Sequence, residues 1–246
     1  MLHRPLPPAS RLQPPVNILA LDTSSDWCSA ALLQGAALTA REVRAQQRHS
    51  ELILPMVEGL LDGSGVRLQD LDAVAFGAGP GSFTGLRIAC GVAQGLAFGA
   101  NLKVVPVATL EAMAEALGAP RVLAALDARM DELYLAAYER AGAGWRCVVE
   151  PSLCTVSAAP ALSGPDWEGC GSGFAVHGEA LRARYEPQLR AVHPEAFAHA
   201  REIALIAARV HAAGGSVEPD QAAPLYVRDK VARTVAERRE DARGRP

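Results

Sequence analysis

The 246-residue sequence is poor in aromatic side chains and has no excess of positive charge. Aromatic residues make up 5% of the chain, and 27 acidic residues outnumber 24 lysines and arginines, for a net charge of −3. A protein that binds nucleic acid by itself usually carries a basic face, often with aromatic rings that stack on bases. The composition therefore argues against direct RNA binding. Half of the residues are hydrophobic, which indicates a globular chain with a substantial core.

The sequence also lacks the usual metal-binding and hydrolytic motifs. Its five cysteines never show CxxC spacing, and its six histidines show neither HxxxH nor HExxH spacing. A zinc knuckle, a redox pair and a zinc peptidase are therefore disfavoured. No serine lies in a GxSxG motif, which leaves only a triad assembled in space. We expect reduced, mostly buried thiols and a cytoplasmic location.

No apolar run approaches the roughly 20 residues that a membrane-spanning helix requires, so we expect no membrane association. Residues 1–15 contain five prolines and no apolar core of a signal peptide. That composition predicts a disordered arm, or a start site placed too early. Residues 232–246 are rich in charge and are expected to form a tail.

What the sequence does contain is a repeated order of predicted elements. The first half has strands at 16–22, 29–33, 38–43, 71–76 and 103–107 and helices at 49–61 and 84–99. The second half has strands at 121–127, 133–139, 145–150 and 188–192, with helices near 174–184 and at 195–215. Each half follows a βββαβα order, which indicates one plan used twice.

We therefore predict an α/β fold of two lobes that meet near residues 106–120. Two βββαβα units define the actin-like (ASKHA), RNase H-like architecture, in which ligands bind in the cleft between the lobes. The predicted N-terminal lobe spans 16–108 and the C-terminal lobe spans 109–231. The last helix of the second lobe can pack back on the first.

A glycine-rich loop, GAGPGSFTGLR, follows an apolar run and precedes a helical pattern. Such loops hold phosphate because backbone N–H groups converge there. This one has no lysine, and Gly79, Gly81 and Gly85 miss both the Walker and the GxGxxG spacing. Ser82 or Thr84 can cap the following helix. Two interpretations stay open: a tight turn with a capped helix, or a loop that faces phosphate or an oxyanion.

The first strand ends in Asp22, Thr23 and Ser24. In actin-like kinases an acid and hydroxyls at this turn face the metal-bound phosphates, although Asp-Thr-Ser is also common turn chemistry. Together with the loop at Gly79, the turn predicts two strand ends that point into one cleft. A small-molecule kinase or ATPase is therefore an alternative function.

Two helices of the first half have unusual surfaces. The helix at 49–61, with Ser50 as its expected cap and Gly63 at its expected end, has apolar residues at i, i+3 and i+4 spacing. The helix at 84–99 carries only alanine or glycine at positions 89, 91, 93, 95 and 97, which suggests close approach of another backbone. Packing within the lobe or contact with another protein would both explain these faces. The residues predicted to contact a partner are His49, Leu52, Ile53, Met56, Val57, Leu60, Ala89 and Ala93.

Five segments together resemble the TsaB family of bacterial proteins: ILALDTSS, RHSELILPMVEGLL, AVAFGAGPGSFTGLRIACGVAQGLA, ALDARMDELYLAAY and PLYVRDKVA. The resemblance covers about residues 16–231 and includes the distinctive strings GPGSFTGLR and DARMDELY. It implies an actin-like fold and membership of a complex with TsaD, the catalytic relative, and TsaE, an ATPase. That complex transfers threonylcarbamoyl to the adenosine beside the anticodon in tRNAs that read ANN codons.

The resemblance further implies that the chain is a non-catalytic scaffold. TsaD carries HxEGH, whose histidines bind its metal, whereas the matching segment here runs from Thr109 through Leu110, Glu111 and Ala112 to Met113. We expect no catalytic residue, no metal and no cofactor of its own, with ATP or ADP bound weakly or at a subunit interface. First-lobe helices are expected to bind TsaD, or a second copy when the chain is alone, and contact with tRNA is expected to be indirect. A peptidase is a less favoured alternative.

Overall fold

The structure is a computed structural model that describes residues 16–228. The predictions of a proline-rich arm at 1–15 and a charged tail at 232–246 lie outside the described residues. In the described range, no helix is both long and apolar enough to span a membrane.

The first lobe is a five-stranded sheet with two long helices on its outer face. Its strands are β1 Asn17–Asp22, β2 Trp27–Gln34, β3 Ala37–Arg44, β4 Ala73–Gly79 and β5 Lys103–Ala108. Its helices are α1 His49–Ser64 and α2 Phe83–Ala100, with a short 3-10 helix at Leu68–Asp70. Helix α1 begins without a side-chain cap, so the prediction that Ser50 caps it is wrong, and it ends at Gly65, whose φ of 69° is left-handed.

The second lobe repeats the sheet with a thinner outer layer. Helix α3, Thr109–Leu117, leads into strands β6 Arg121–Asp127, β7 Glu132–Ala141, β8 Gly144–Thr155, β9 Trp167–Cys170 and β10 Leu189–His193. The remaining helices are α4 Ser172–Val176, α5 Gly178–Tyr185 and α6 Ala200–Ala212, followed by a 3-10 helix at Pro219–Gln221. The single helix predicted near 174–184 is thus two short helices, and β9 is a strand that was not predicted.

The two sheets have the same strand order. The first is ordered β3-β2-β1-β4-β5, and the second, read in the same direction, is β8-β7-β6-β9-β10. In each sheet the first three strands are antiparallel neighbours and the other two run parallel to the first strand. This duplicated α/β order confirms the predicted two-lobed, actin-like fold class.

Both faces of the central strand β1 are buried, because helices cover the sheet on both sides. Leu19 and Leu21 pack with the core beneath α1 and α2, whereas Ile18 and Ala20 pack on the other face. Helix α6 lies against that second face, where Ile203 belongs to the same core cluster as Ile18. The last long helix of the second half therefore packs on the first sheet, and α3 and α6 join the lobes through one continuous core.

Candidate functional site

An interlobe cleft of about 920 Å³ lies at the carboxyl ends of β1, β4 and β6. Its walls include Ser24 after β1, the Pro80–Gly85 loop after β4, and Asp127 at the end of β6. A volume of this size can accommodate a nucleotide-sized ligand. The cleft is therefore the expected ligand position of the fold, and its chemistry depends on which polar groups reach it.

The glycine-rich loop is hydrogen-bonded to the chain around it. The N–H of Gly79 donates to Thr109 Oγ1 at 3.1 Å, and the N–H of Ser82 donates to the carbonyl of Ser24 at 2.7 Å. The Gly85 N–H donates to Ser82 Oγ at 3.3 Å, so Ser82 is the cap of α2 and Thr84 is not. These three donors are satisfied within the protein, which reduces what the loop can offer to a phosphate.

Glycine is required in this loop by close packing. A Cβ on Gly85 would lie 1.8 Å from the carbonyl oxygen of Thr23, and one on Gly81 would lie 2.6 Å from that of Ser24. Gly79 has a φ of 115°, a conformation that residues with a side chain rarely adopt. The Thr23 hydroxyl donates to the Gly85 carbonyl at 2.6 Å and completes the junction. The turn and the loop thus form one packed unit.

Asp22 is brought to this junction but does not line the cleft. Its side chain is fully buried, and burial raises its pKa to about 7, with Ser24 hydrogen bonds opposing the rise and the negative charge of Glu202 adding to it. Ser24 Oγ donates to one carboxyl oxygen at 3.1 Å. Within residues 16–228 the other oxygen, Oδ1, has no hydrogen-bond partner, and a Cβ on Gly77 would lie 2.1 Å from it. Of the predicted Asp22-Thr23-Ser24 cluster, only Ser24 lines the cleft.

Residues 109–113, which were expected to hold no metal, are part of the core. Thr109 is buried and its hydroxyl accepts from the Gly79 N–H, as described above. Met113 is fully buried, and its Cε lies 2.4 Å from where a Cβ on Gly171 would be. Across the described residues, no three His, Cys, Asp or Glu side chains are grouped to hold a metal ion.

Asp127 is a cleft residue that the sequence analysis missed. It ends β6 as Asp22 ends β1, and its carboxylate accepts from the Arg129 N–H at 2.9 Å and lies 3.2 Å from the Arg129 guanidinium. The signal was available, because NILALD and RVLAALD are the corresponding strands of the two lobes. Because both strands end in aspartate, the match between them predicts that Asp127 occupies in the second lobe the position of Asp22 in the first.

The cysteines are unsuited to nucleophilic catalysis. All five are free. Burial raises the pKa of Cys28 and of Cys147 to about 11 and that of Cys170 to about 12, and it also raises the pKa of Cys90 and Cys154. Such thiols are protonated at neutral pH, and the thiolate is the nucleophilic form.

The histidine contacts do not assemble a triad either. The ring contacts are His49 with the Ser25 carbonyl, His193 with Glu168, His199 with Glu42, and His211 with Ser216. Within the described chain, none of these rings links a hydroxyl or thiol to a carboxylate.

Several residues of the predicted partner surface are instead core residues of the first lobe. Ile53, Val57 and Leu60 are at most 3% exposed because α1 packs on the sheet through them, and Ala89 and Ala93 are fully buried under α2. The prediction that these five contact a partner is therefore wrong for the folded chain. His49, Leu52 and Met56 remain partly exposed.

The outward face of these helices carries a stripe of glycines. The exposed glycine stripe consists of Gly91, Gly95 and Gly99, at each of which an added Cβ would meet nothing within 4 Å. Large apolar side chains are exposed on the same two helices: Phe98 on α2 is 82% exposed and Leu54 on α1 is 43% exposed. The outer helix pair α1–α2 thus presents small and apolar groups to the surroundings.

Two lobes with one strand order, helices that join them and a cleft between them define an actin-like protein. A family model for TsaD, tRNA N6-adenosine threonylcarbamoyltransferase, matches residues 43–232. The tRNA threonylcarbamoyladenosine biosynthesis protein TsaB of Escherichia coli (strain K12) is 40% identical over 228 residues, which cover 88% of this chain and 96% of that protein. The chain belongs to the TsaB family.

Further relatives agree with this assignment. TsaB of Haemophilus influenzae is 44% identical over 152 residues, covering 57% of this chain and 64% of that protein. A crystal structure from Pseudomonas aeruginosa, of an uncharacterized protein described as similar to the peptidase YeaZ, superposes with a TM-score of 0.81 at 37% identity, covering 87% of this chain and 100% of that one. The similarity thus extends over nearly all of the described fold.

Proposed function

We propose that this protein is a non-catalytic subunit of tRNA threonylcarbamoyladenosine biosynthesis that works by binding a TsaD protein. Family membership supports a part in that biosynthesis and in the complex with TsaD. The observation that carries the scaffold role is the outer helix pair. Its glycine stripe allows another helix to approach closely, and exposed Phe98 on α2 and Leu54 on α1 supply apolar area on the same helix pair. TsaE is the further partner, tRNA is contacted indirectly, and the complex acts in the cytoplasm.

The packing of the cleft supports the non-catalytic part of the proposal. Thr109 accepts a hydrogen bond from the Gly79 N–H, Met113 packs in the core, and Asp22 is fully buried and does not line the cleft. A chain with these groups has no carboxylate of β1 available to a metal-bound phosphate. ATP or ADP then binds weakly or at the interface with TsaD rather than as a substrate of this chain. The same outer helix pair mediates a homodimer when TsaD is absent.

Reconstitution of tRNA modification tests the proposal. Purified TsaD, TsaE, this chain, unmodified tRNA, ATP and threonylcarbamoyl-adenylate are combined, and each protein is omitted in turn. We expect modification only when this chain and TsaD are both present, and none from this chain alone. Modification by the chain alone, or full modification without it, would contradict the proposal.

The kinase or ATPase alternative rests on the cleft, which is large enough for a nucleotide. Isothermal titration of the lone chain with Mg-ATP, followed by a phosphate-release assay, separates the two functions. We expect no turnover. Micromolar binding with turnover that is lost in Asp127→Asn would favour the kinase.

A further inference from the structure

The last described residues connect the two lobes across the interlobe cleft. After α6, which packs on the first sheet, the chain stays on the first lobe, where Val217 pairs with Val104 of β5. It then passes along α2 as residues 222–228, here called the C-terminal strap. Leu225, Tyr226 and Arg228 of the strap all line the cleft. The strap therefore crosses the opening between the lobes.

The first half of the strap is fixed to the first lobe. The carbonyl of Ala222 accepts from Gln94 Nε2 at 3.0 Å, and the N–H of Leu225 donates to the carbonyl of Ala78 at 2.7 Å. Arg87 donates to the Tyr226 hydroxyl at 3.1 Å. These contacts reach both α2 and the end of β4.

The other end of the strap is fixed to the second lobe by one side chain. Arg228 pairs with Glu132 at 2.7 Å and donates to the carbonyl of Ala128 at 3.0 Å, and its side chain is only 12% exposed. A third contact joins its other terminal nitrogen to the sulfur of Met130 at 3.6 Å. A guanidinium presents several donors in a fixed plane, so it can hold these groups at once.

The turn that Arg228 contacts has a disfavoured backbone. Arg129, Met130 and Asp131 have consecutive φ values of 64°, 59° and 59°. Side chains disfavour left-handed backbone, and such residues persist only where the surroundings determine them. Within the turn, Arg129 N–H donates to Asp127, and Arg228 supplies the contacts from outside it.

We propose that the C-terminal strap is an interlobe latch, in which Arg228 holds the 128–131 turn and thereby sets the opening of the cleft. The strap is anchored on the first lobe through main-chain and side-chain bonds. Release of Arg228 therefore lets the second lobe move about the shared core at α3 and α6 without unfolding the first lobe. Lobe motion of this kind does not depend on which partner the protein binds.

The test compares Arg228→Met with Arg129→Met in the full chain. Arg129 lies in the same turn, but its side chain is 87% exposed, so it is a matched control. Hydrogen exchange measures the amides of 128–132. Pulsed electron spin resonance measures the interlobe distance between labels on p-acetylphenylalanine introduced at the exposed positions Gln69 and Glu179.

Arg228→Met should speed exchange in the turn about tenfold and broaden the interlobe distance distribution, and Arg129→Met should change neither. Arg228→Lys keeps the charge without the planar fork and should give an intermediate result. Unchanged distances in folded Arg228→Met would overturn the latch, even if the turn itself exchanged faster. Global unfolding of both the methionine and the lysine variants would also overturn it, because a latch is not needed for folding.

Discussion

Each lobe has its own five-stranded sheet with the same strand order, and the lobes differ in what covers the outer face of that sheet. In the first lobe, α1 of 16 residues and α2 of 18 residues form that layer. In the second lobe, the connection 156–166 takes the place of α1, and helices of five and eight residues follow β9. The duplication thus preserved the strand order and changed the outer layer.

Because of this difference, the outer face of the second lobe is covered by its own side chains, whereas the outer helices of the first lobe leave a surface that a partner can contact. In the second lobe the outer face is filled by the lobe's own side chains, with Ala159, Leu162, Trp167 and Tyr185 all buried. In the first lobe the helices bury one side and leave the glycine stripe exposed. Partner binding is therefore expected of the first lobe alone.

The lobes are most alike where a strand meets the next helix. A Cβ on Gly85 would lie 1.8 Å from the Thr23 carbonyl oxygen, and one on Gly171 would lie 2.4 Å from that of Ala125. In both lobes a glycine after the inner parallel strand lets the loop pack on the first strand. Close packing at this junction is thus common to both lobes, whereas the outer surface is not.

The largest expected effect is a loss of stability in Gly85→Ala. The new Cβ would meet backbone, which cannot rotate away, so we expect a cost of about 3 kcal/mol in the free energy of unfolding. Urea denaturation measures it. Gly91→Ala, on the exposed stripe of the same helix, should instead stabilise by about 0.5–1 kcal/mol. A cost below about 1 kcal/mol for Gly85→Ala would contradict the packing argument.

The next effect is a pH dependence that originates in the first lobe. The folded pKa of Asp22 is raised to about 7, so the folded state holds a proton that the unfolded state releases above about 4. This contribution to stability is complete below about pH 4, is lost progressively as the pH rises from about 4 to about 7, and changes little above that. Asp22→Asn should reduce the fall in stability between pH 5 and pH 8 by about 2–3 kcal/mol.

Chemical denaturation across that pH range measures the Asp22 effect. Ser24→Ala provides a second test. Loss of the Ser24 hydroxyl bond should raise the pKa of Asp22 further, so the decrease in stability should continue to higher pH. An Asp22→Asn variant with the same pH profile as the parent would show that the buried carboxyl is not the cause.

The smallest effect concerns the cap of α2. Ser82→Ala should cost about 1 kcal/mol, because the hydroxyl accepts from the Gly85 N–H, whereas Thr84→Ala should cost less, since Thr84 is exposed and makes no cap. Thermal unfolding and the reconstituted modification assay are run together. Loss of modification in a folded Ser82→Ala variant that still binds TsaD would restore a catalytic role to the loop.

Strand periodicity was enough to predict both sheets, because β1, β2, β6 and β7 are apolar runs or alternations with clear turns. It missed β9, whose four residues WEGC carry no period, and it missed α3, which lies at the lobe junction. The prediction that the alanines and glycines of α2 form one common surface was also wrong. Residues two apart on a helix point in nearly opposite directions, so Ala89, Ala93 and Ala97 turn inward and the glycines between them turn outward.

The contacts of the C-terminal strap and the raised pKa of Asp22 could not be predicted from the sequence, for a different reason. The contact between Arg228 and Glu132 joins residues 96 positions apart, and nothing local in either segment indicates it. The pKa of Asp22 depends on α6 lying over β1, which only the packed fold establishes. Such properties arise from tertiary packing rather than from local pattern.

The most direct test of the first lobe as the partner surface is the affinity for TsaD of Gly95→Trp beside that of Ala183→Trp. Both positions are exposed, Gly95 on the glycine stripe and Ala183 on α5 of the second lobe, so both variants should fold. Calorimetric titration should show at least about a hundredfold weaker binding for Gly95→Trp, because the indole blocks close helix approach, and unchanged binding for Ala183→Trp. Unchanged binding by a folded Gly95→Trp variant would contradict the account.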